Sequence, residues 1–126
     1  MNKEAIHTEK APAAVGPYSQ AISAGSLVAL SGQIPLDPAT GKLVEGDIKE
    51  QTRRVFANIK AVLEEGGMTF ANVIKTTVFL ADIADFADMN EVYAEYFEEP
   101  YPARSAVQIA ALPKGAGLEI ECLCVK

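Results

Sequence analysis

Apolar residues recur along this chain with two different periods, and the switches between them mark out its elements. Residues 18–24 and 27–31 read as short strands flanking Gly25-Ser26, a connection in which glycine takes the positive φ of a type II′ turn; the pair predicts a β-hairpin. Residues 35–42 carry two prolines and a glycine and predict a loop. Asp47 then offers an N-cap with Glu50 three residues on, and Ile48, Val55, Phe56, Ile59, Val62 and Leu63 return at helical spacing up to Gly66-Gly67. That predicts a first helix.

Residues 72–80 are β-branched and roughly alternating, a strand with Ile74, Val78 and Leu80 on one face and Lys75 on the other. A second amphipathic segment, capped by Asp82 or Asp85, brings back Phe86, Met89, Tyr93, Tyr96 and Phe97 every three or four residues until Pro100. It predicts a second helix whose Met and aromatic stripe belongs to the core. Strands at 103–109 and 118–125, joined by a Pro- and Gly-containing loop at 112–117, complete the order ββ-α-β-α-ββ. This is an α+β pattern, and the single apolar stripe of each helix lays both on one face of the sheet.

Alternation along the last strand turns Leu118, Ile120, Cys122 and Cys124 to the helices and Glu119, Glu121, Leu123 and Val125 to the open face. On 103–109 the more apolar set, Ser105, Val107 and Ile109, is assigned to the helices, which leaves Arg104, Ala106 and Gln108 with Glu119 on the open face. An open face that mixes Leu123, Val125 and Ala106 with charges looks like an oligomer interface holding a polar pocket. Taken by residue type alone, Arg104 and Glu119 read equally well as a cross-strand ion pair, Tyr18 as a strand anchor, Asn90 as a solvent-facing helix residue, and Ser31-Gly32-Gln33 as a strand end.

Composition narrows the classes. At 126 residues and 49% hydrophobic, the chain suits one domain over residues 1–126. Eleven Lys and Arg against seventeen Asp and Glu give a net charge of −6, which repels phosphate backbones and disfavours nucleic acid as a partner. The first ten residues carry no apolar signal region, and no run approaches the ~18 residues of a membrane span; the expected place is the cytoplasm. Cys122 and Cys124 point to one face in a geometry poor for a disulfide and read as buried free thiols. His7 is the only histidine. No metal-ligand spacing, Ser-His-Asp base, G-x-S-x-G or phosphate loop accompanies it, so neither metal nor cofactor is expected.

Five segments in order across nearly the whole chain carry a resemblance: APAAVGPYSQ (11–20), SGQIP (31–35), VIKTTVFL (73–80), PARS (102–105) and LEIE (118–121). On these the chain resembles the RidA/YjgF family. The resemblance implies a chorismate-mutase-like βββαβαββ fold, a homotrimer whose core covers the open sheet face, and pockets between subunits. It further implies cofactor-free hydrolytic deamination of reactive 2-imino acids and their enamine tautomers, 2-aminoacrylate/2-iminopropanoate and 2-iminobutanoate, to 2-oxo acids and ammonia, which protects pyridoxal-phosphate enzymes. Matched by position, Arg104 grips the substrate carboxylate beside the backbone N–H of Ala106, Glu119 holds and polarises the attacking water, and Tyr18 lines the pocket near the reacting carbon. Ser31, Gly32 and Asn90 line or support it. Many members carry cysteine where this chain has Ala106, so a regulatory thiol is absent there. Two other classes share these residues: a metabolite-binding regulatory or chaperone-like module, and a ribonuclease or translation inhibitor, which the charge of −6 and the lone histidine oppose.

Overall fold

The computed structural model describes residues 2–126. Six strands, β1 (Lys3–Ile6), β2 (Ala21–Ala24), β3 (Leu27–Gln33), β4 (Val73–Leu80), β5 (Ala103–Gln108) and β6 (Leu118–Val125), form one sheet in the order β1-β2-β3-β6-β4-β5. Helices α1 (Ile48–Glu65) and α2 (Phe86–Tyr93) complete an α+β fold. All pairings are antiparallel except β4 with β5, and parallel neighbours need a crossover, which α2 supplies. The chain order is βββαβαββ. The strand added to the hairpin reading is β1, a four-residue edge strand of mostly exposed residues with no apolar alternation to announce it.

Local chemistry accounts for the firm boundaries. Gly25 takes φ 61 in the turn between β2 and β3. The Asp47 carboxylate accepts the Glu50 N–H at 2.9 Å to start α1, and Gly66-Gly67 ends it. Val55, Phe56, Ile59, Val62 and Leu63 of α1 are wholly buried against the sheet with Val28, Val78, Leu80, Leu118 and Ile120.

Three expectations change. The second helix stops at Tyr93 instead of continuing to Pro100, and residues 83–85 before it form a 3-10 turn capped by the Asp82 side chain. Tyr96 and Phe97 still reach the core from the turn that follows: Tyr96 stacks on Phe56 at 4.4 Å and Phe97 meets it edge-on at 5.7 Å. Their spacing reported burial around one ring rather than helix. On β4, Ile74 is 45% exposed, because the register with β6 slips between Val73 and Lys75 and Val73 takes the inward position.

The third change concerns β5. In its parallel register Arg104 lies beside Thr76 and Ala106 beside Val78, and the Thr76 hydroxyl meets the Tyr93 hydroxyl of α2 at 2.8 Å. Arg104, Ala106 and Gln108 therefore lie on the helix face, and Ser105 and Val107 on the open one with Glu119's side of β6, the reverse of the expected assignment. β5 is an edge strand whose residues, Ala106 apart, are exposed, so apolar content does not choose the face there. On β6 the expected alternation holds.

Phe56 joins both helices' aromatic contacts to the sheet. Phe56→Ala should cost about 3–5 kcal/mol, read from denaturant unfolding, because its neighbours cannot close the void; a loss below about 1 kcal/mol would contradict this packing.

Candidate functional site

Arg104 leaves the edge strand and lies over aromatic rings, its guanidinium carbon 4.7 Å from the Tyr93 centroid and 5.3 Å from that of Phe86. Asn90 of α2 fixes one end, its Oδ1 accepting from Arg104 Nη1 at 2.6 Å. No described carboxylate pairs with this guanidinium; the ion pairs are Lys49 with Glu91 and Arg53 with Glu95. Most of its five N–H donors are thus available to a ligand. Asn90, Tyr93, Ala94, Tyr101, Pro102 and Arg104 line a recess of about 430 Å3. Burial pushes the Tyr93 hydroxyl's pKa up, opposed by its bond to Thr76.

The edge backbone also leaves donors free. Ile109 donates its N–H to the Leu80 carbonyl at 3.0 Å. Parallel pairing alternates, so the N–H groups of Val107 and Ser105 also face β4 while those of Arg104 and Ala106 face the free edge. The Ala106 N–H is accordingly unpaired by the sheet, two residues from the guanidinium. Ala106 itself packs half-buried against the core.

Glu119, Tyr18, Ser31 and Gly32 meet elsewhere, around a second cavity of about 370 Å3. Glu119 is held above the ordinary carboxylate pKa of 4.5, first by burial and then by the nearby Glu121. Gly32 sits in the bulge where β3 and β6 lose register, and a Cβ there would fall 2.7 Å from Glu119 Cδ and closer still to Oε2. The glycine serves room for the carboxylate, not an unusual φ. Ser31 donates its hydroxyl to the Ser19 carbonyl at 2.6 Å and so ties down the loop bearing Tyr18, which is 53% exposed. Buried Gln20 pins the facing wall: its amide donates to the carbonyls of Thr8 (3.0 Å) and Pro12 (2.9 Å) and accepts the Thr8 N–H (2.7 Å).

The named residues therefore form two groups. Arg104, Ala106 and Asn90 lie at the β5 edge on the helix side; Glu119, Tyr18, Ser31 and Gly32 lie around β3 and β6, with Glu119 on the other face and β4 between. The expected meeting of Arg104 and Glu119 on one face does not occur in this chain. Residue-by-residue reading missed Tyr93, Phe86 and Gln20: their apolar or amide character signalled only packing, and nothing in the spacing tied them to Arg104 or Glu119. Burial pushes the Cys124 thiol up to about 11 and Cys122 higher still, so both are free but inert. Among the described residues no helix is long and apolar enough to cross a membrane, and no His, Cys, Asp and Glu cluster forms a metal site.

Comparison with known proteins agrees with this architecture. The family model described as Endoribonuclease L-PSP matches residues 8–126. A RutC family protein of Pyrococcus abyssi is 57% identical over 126 residues, covering 100% of this chain and 99% of that protein. The 2-iminobutanoate/2-iminopropanoate deaminase of Bos taurus is 48% identical, covering 98% of this chain and 90% of that protein. The crystal structure of RidA from the Antarctic bacterium Psychrobacter sp. PAMC 21119 superposes with a TM-score of 0.93 at 51% identity, over 98% of this chain and 99% of that one. Matched by the family model to its last residue and by relatives along nearly its whole length, the chain belongs to the Endoribonuclease L-PSP family, the RidA/YjgF family.

Proposed function

We propose that this chain, acting as one domain, hydrolyses small 2-imino acids such as 2-iminopropanoate and 2-iminobutanoate, with their enamine tautomers, to 2-oxo acids and ammonia. The observation that carries the reading is the Arg104 recess: a guanidinium stacked on Tyr93 and Phe86, clamped by Asn90 and unpaired by any described carboxylate, on an edge strand whose Ala106 N–H is left free by the sheet. A planar fork plus one backbone donor is a receptor for a small carboxylate. The deaminase relatives support the substrate class.

The reaction needs orientation and a proton carrier. With the acid held by Arg104, Glu119 accepts a proton from water as the water oxygen bonds to C2 of the iminium and the C=N π pair moves to nitrogen. That proton then passes to the amine, the C2–N bond breaks with its electron pair leaving on ammonia, and the hydroxyl proton returns to Glu119 as the 2-oxo group forms; Glu119 passes it on to the departing ammonia as ammonium. Desolvation keeps Glu119 basic enough to serve. Tyr18 would close the side nearest C2.

Because the two groups lie on opposite faces of one sheet, a single copy cannot complete this site. We propose that the β5 edge of one copy meets the Glu119 cavity of another in a homotrimer, with Leu27, Ala29, Phe79, Leu123 and Val125 of the open faces packed between copies. Protection of pyridoxal-phosphate enzymes from leaked intermediates in the cytoplasm is the corresponding physiological role. A net charge of −6 disfavours an RNA substrate.

The test generates 2-aminoacrylate from serine with a dehydratase and follows 2-oxo acid release against semicarbazide trapping. Wild type should accelerate release; no acceleration with either 2-imino acid refutes the reading. Arg104→Lys should lower kcat/KM by about a hundredfold, mostly through KM, since lysine cannot make the paired contact. Glu119→Gln should lower kcat by about 10²–10⁴ while 2-oxobutanoate still binds with its wild-type affinity. The same assay separates catalyst from a non-catalytic binding module, in which this variant would change nothing. Wild-type kcat should rise with pH through a limb above the ordinary carboxylate value of 4.5, because the active form is the ionised Glu119; Glu119→Gln should erase that limb. Gly32→Ala should displace the carboxylate and reduce kcat by roughly tenfold with the fold retained, checked by circular dichroism.

A further inference from the structure

The buried face of α1 contains one side chain that its apolar packing does not require. Its buried polar residues are Thr52 and Asn58. Thr52 turns its hydroxyl back to the Ile48 carbonyl at 2.6 Å, within its own helix. Asn58, wholly buried, reaches outside: Nδ2 donates to the carbonyls of Ile34 (3.3 Å) and Leu36 (2.9 Å), and Oδ1 accepts from Arg54 Nε (3.1 Å) and Nη2 (2.7 Å). Both amide donors and both acceptor positions are in use. A guanidinium can only donate, so Arg54 fixes the rotation of the amide; turned over, N–H groups would face N–H groups. An apolar side chain of this size would fill the site without the desolvation cost of an amide.

Ile34 and Leu36 line the Glu119 cavity and follow directly on the bulge that brings Gly32 against that carboxylate. Other hydrogen bonds of this segment stay within the loop, from the Leu36 N–H to the Ile34 carbonyl (2.7 Å) and from the Val44 N–H to the Pro35 carbonyl (2.9 Å). The hydrogen bonds that join it to α1 come from the Asn58 amide. We propose that Asn58 is a positioning residue for the Glu119 cavity: it anchors residues 34–36 to α1 and so sets the spacing of Gly32 from Glu119, with Arg54 holding the amide in the working orientation. This rests on the deaminase reading above for its catalytic consequence.

The test follows the Glu119 carboxyl titration by carbon NMR, together with steady-state kinetics, in wild type, Asn58→Leu and Arg54→Met. The other titratable groups lining that cavity are Tyr18 and Lys114, and Glu121 two residues along β6 also acts on Glu119; all three are left unaltered. Asn58→Leu should stay folded, lose roughly tenfold in kcat with KM held within about twofold, and show the Glu119 midpoint moved down as water enters the loosened wall. Arg54→Met, at a half-buried position outside the core, should give the same changes at about threefold in kcat. It decides the matter should Asn58→Leu fail to fold. An unmoved Glu119 midpoint in the folded variants, with kcat unchanged or lowered only in proportion to the folded fraction, would overturn the proposal. Wild type without turnover refutes the deaminase reading instead, and the NMR midpoints still decide the positioning role.

Discussion

Everything about the Arg104 recess depends on the parallel pairing of β4 with β5. Setting Arg104 beside Thr76 sends its side chain over α2, where Tyr93 and Phe86 offer ring faces and Asn90 an amide oxygen. The floor is itself fixed, because the Tyr93 hydroxyl is bonded to Thr76 in the same sheet layer. One register thus places the cation, its platform and the support of that platform. A slip of one residue would turn Arg104 to the opposite face and dissolve all three relations at once.

The Glu119 cavity is organised by a different means, the loss of register between β3 and β6. Within that irregularity Gly32, lacking a Cβ, gives the Glu119 carboxylate room. The walls are then held by amides rather than by sheet bonds, Gln20 across the 8–12 segment and Asn58 across 34–36. Buried amides are costly unless satisfied, and satisfied ones specify a single arrangement. The two partial sites thus rest on independent scaffolds, one set by a strand register and the other by a bulge and buried amides.

Much of this was legible in the residues. The caps at Asp47 and Gly66, the hairpin at Gly25 and the alternation of β6 follow from local chemistry strong enough to survive tertiary context. What misled was pattern read where burial does not act. Val107 looked like a core residue on a strand that the core barely touches, and Tyr96 and Phe97 looked helical because they gather around Phe56. Ile74 was displaced by a bulge that no periodicity signals. For the site, residue types could suggest Arg104 and Glu119 but not that opposite sheet faces carry them, since that follows from strand order, a non-local property.

The alanine at position 106 has a consequence for chemical durability. Neither recess is lined by a thiol, and the chain's two cysteines are buried on the helix side of β6 with raised pKa values. At neutral pH they hold almost no thiolate for an oxidant or alkylating electrophile to attack. The two recesses offer guanidinium, carboxylate and phenol groups to a ligand, and no soft nucleophile that an electrophile could consume.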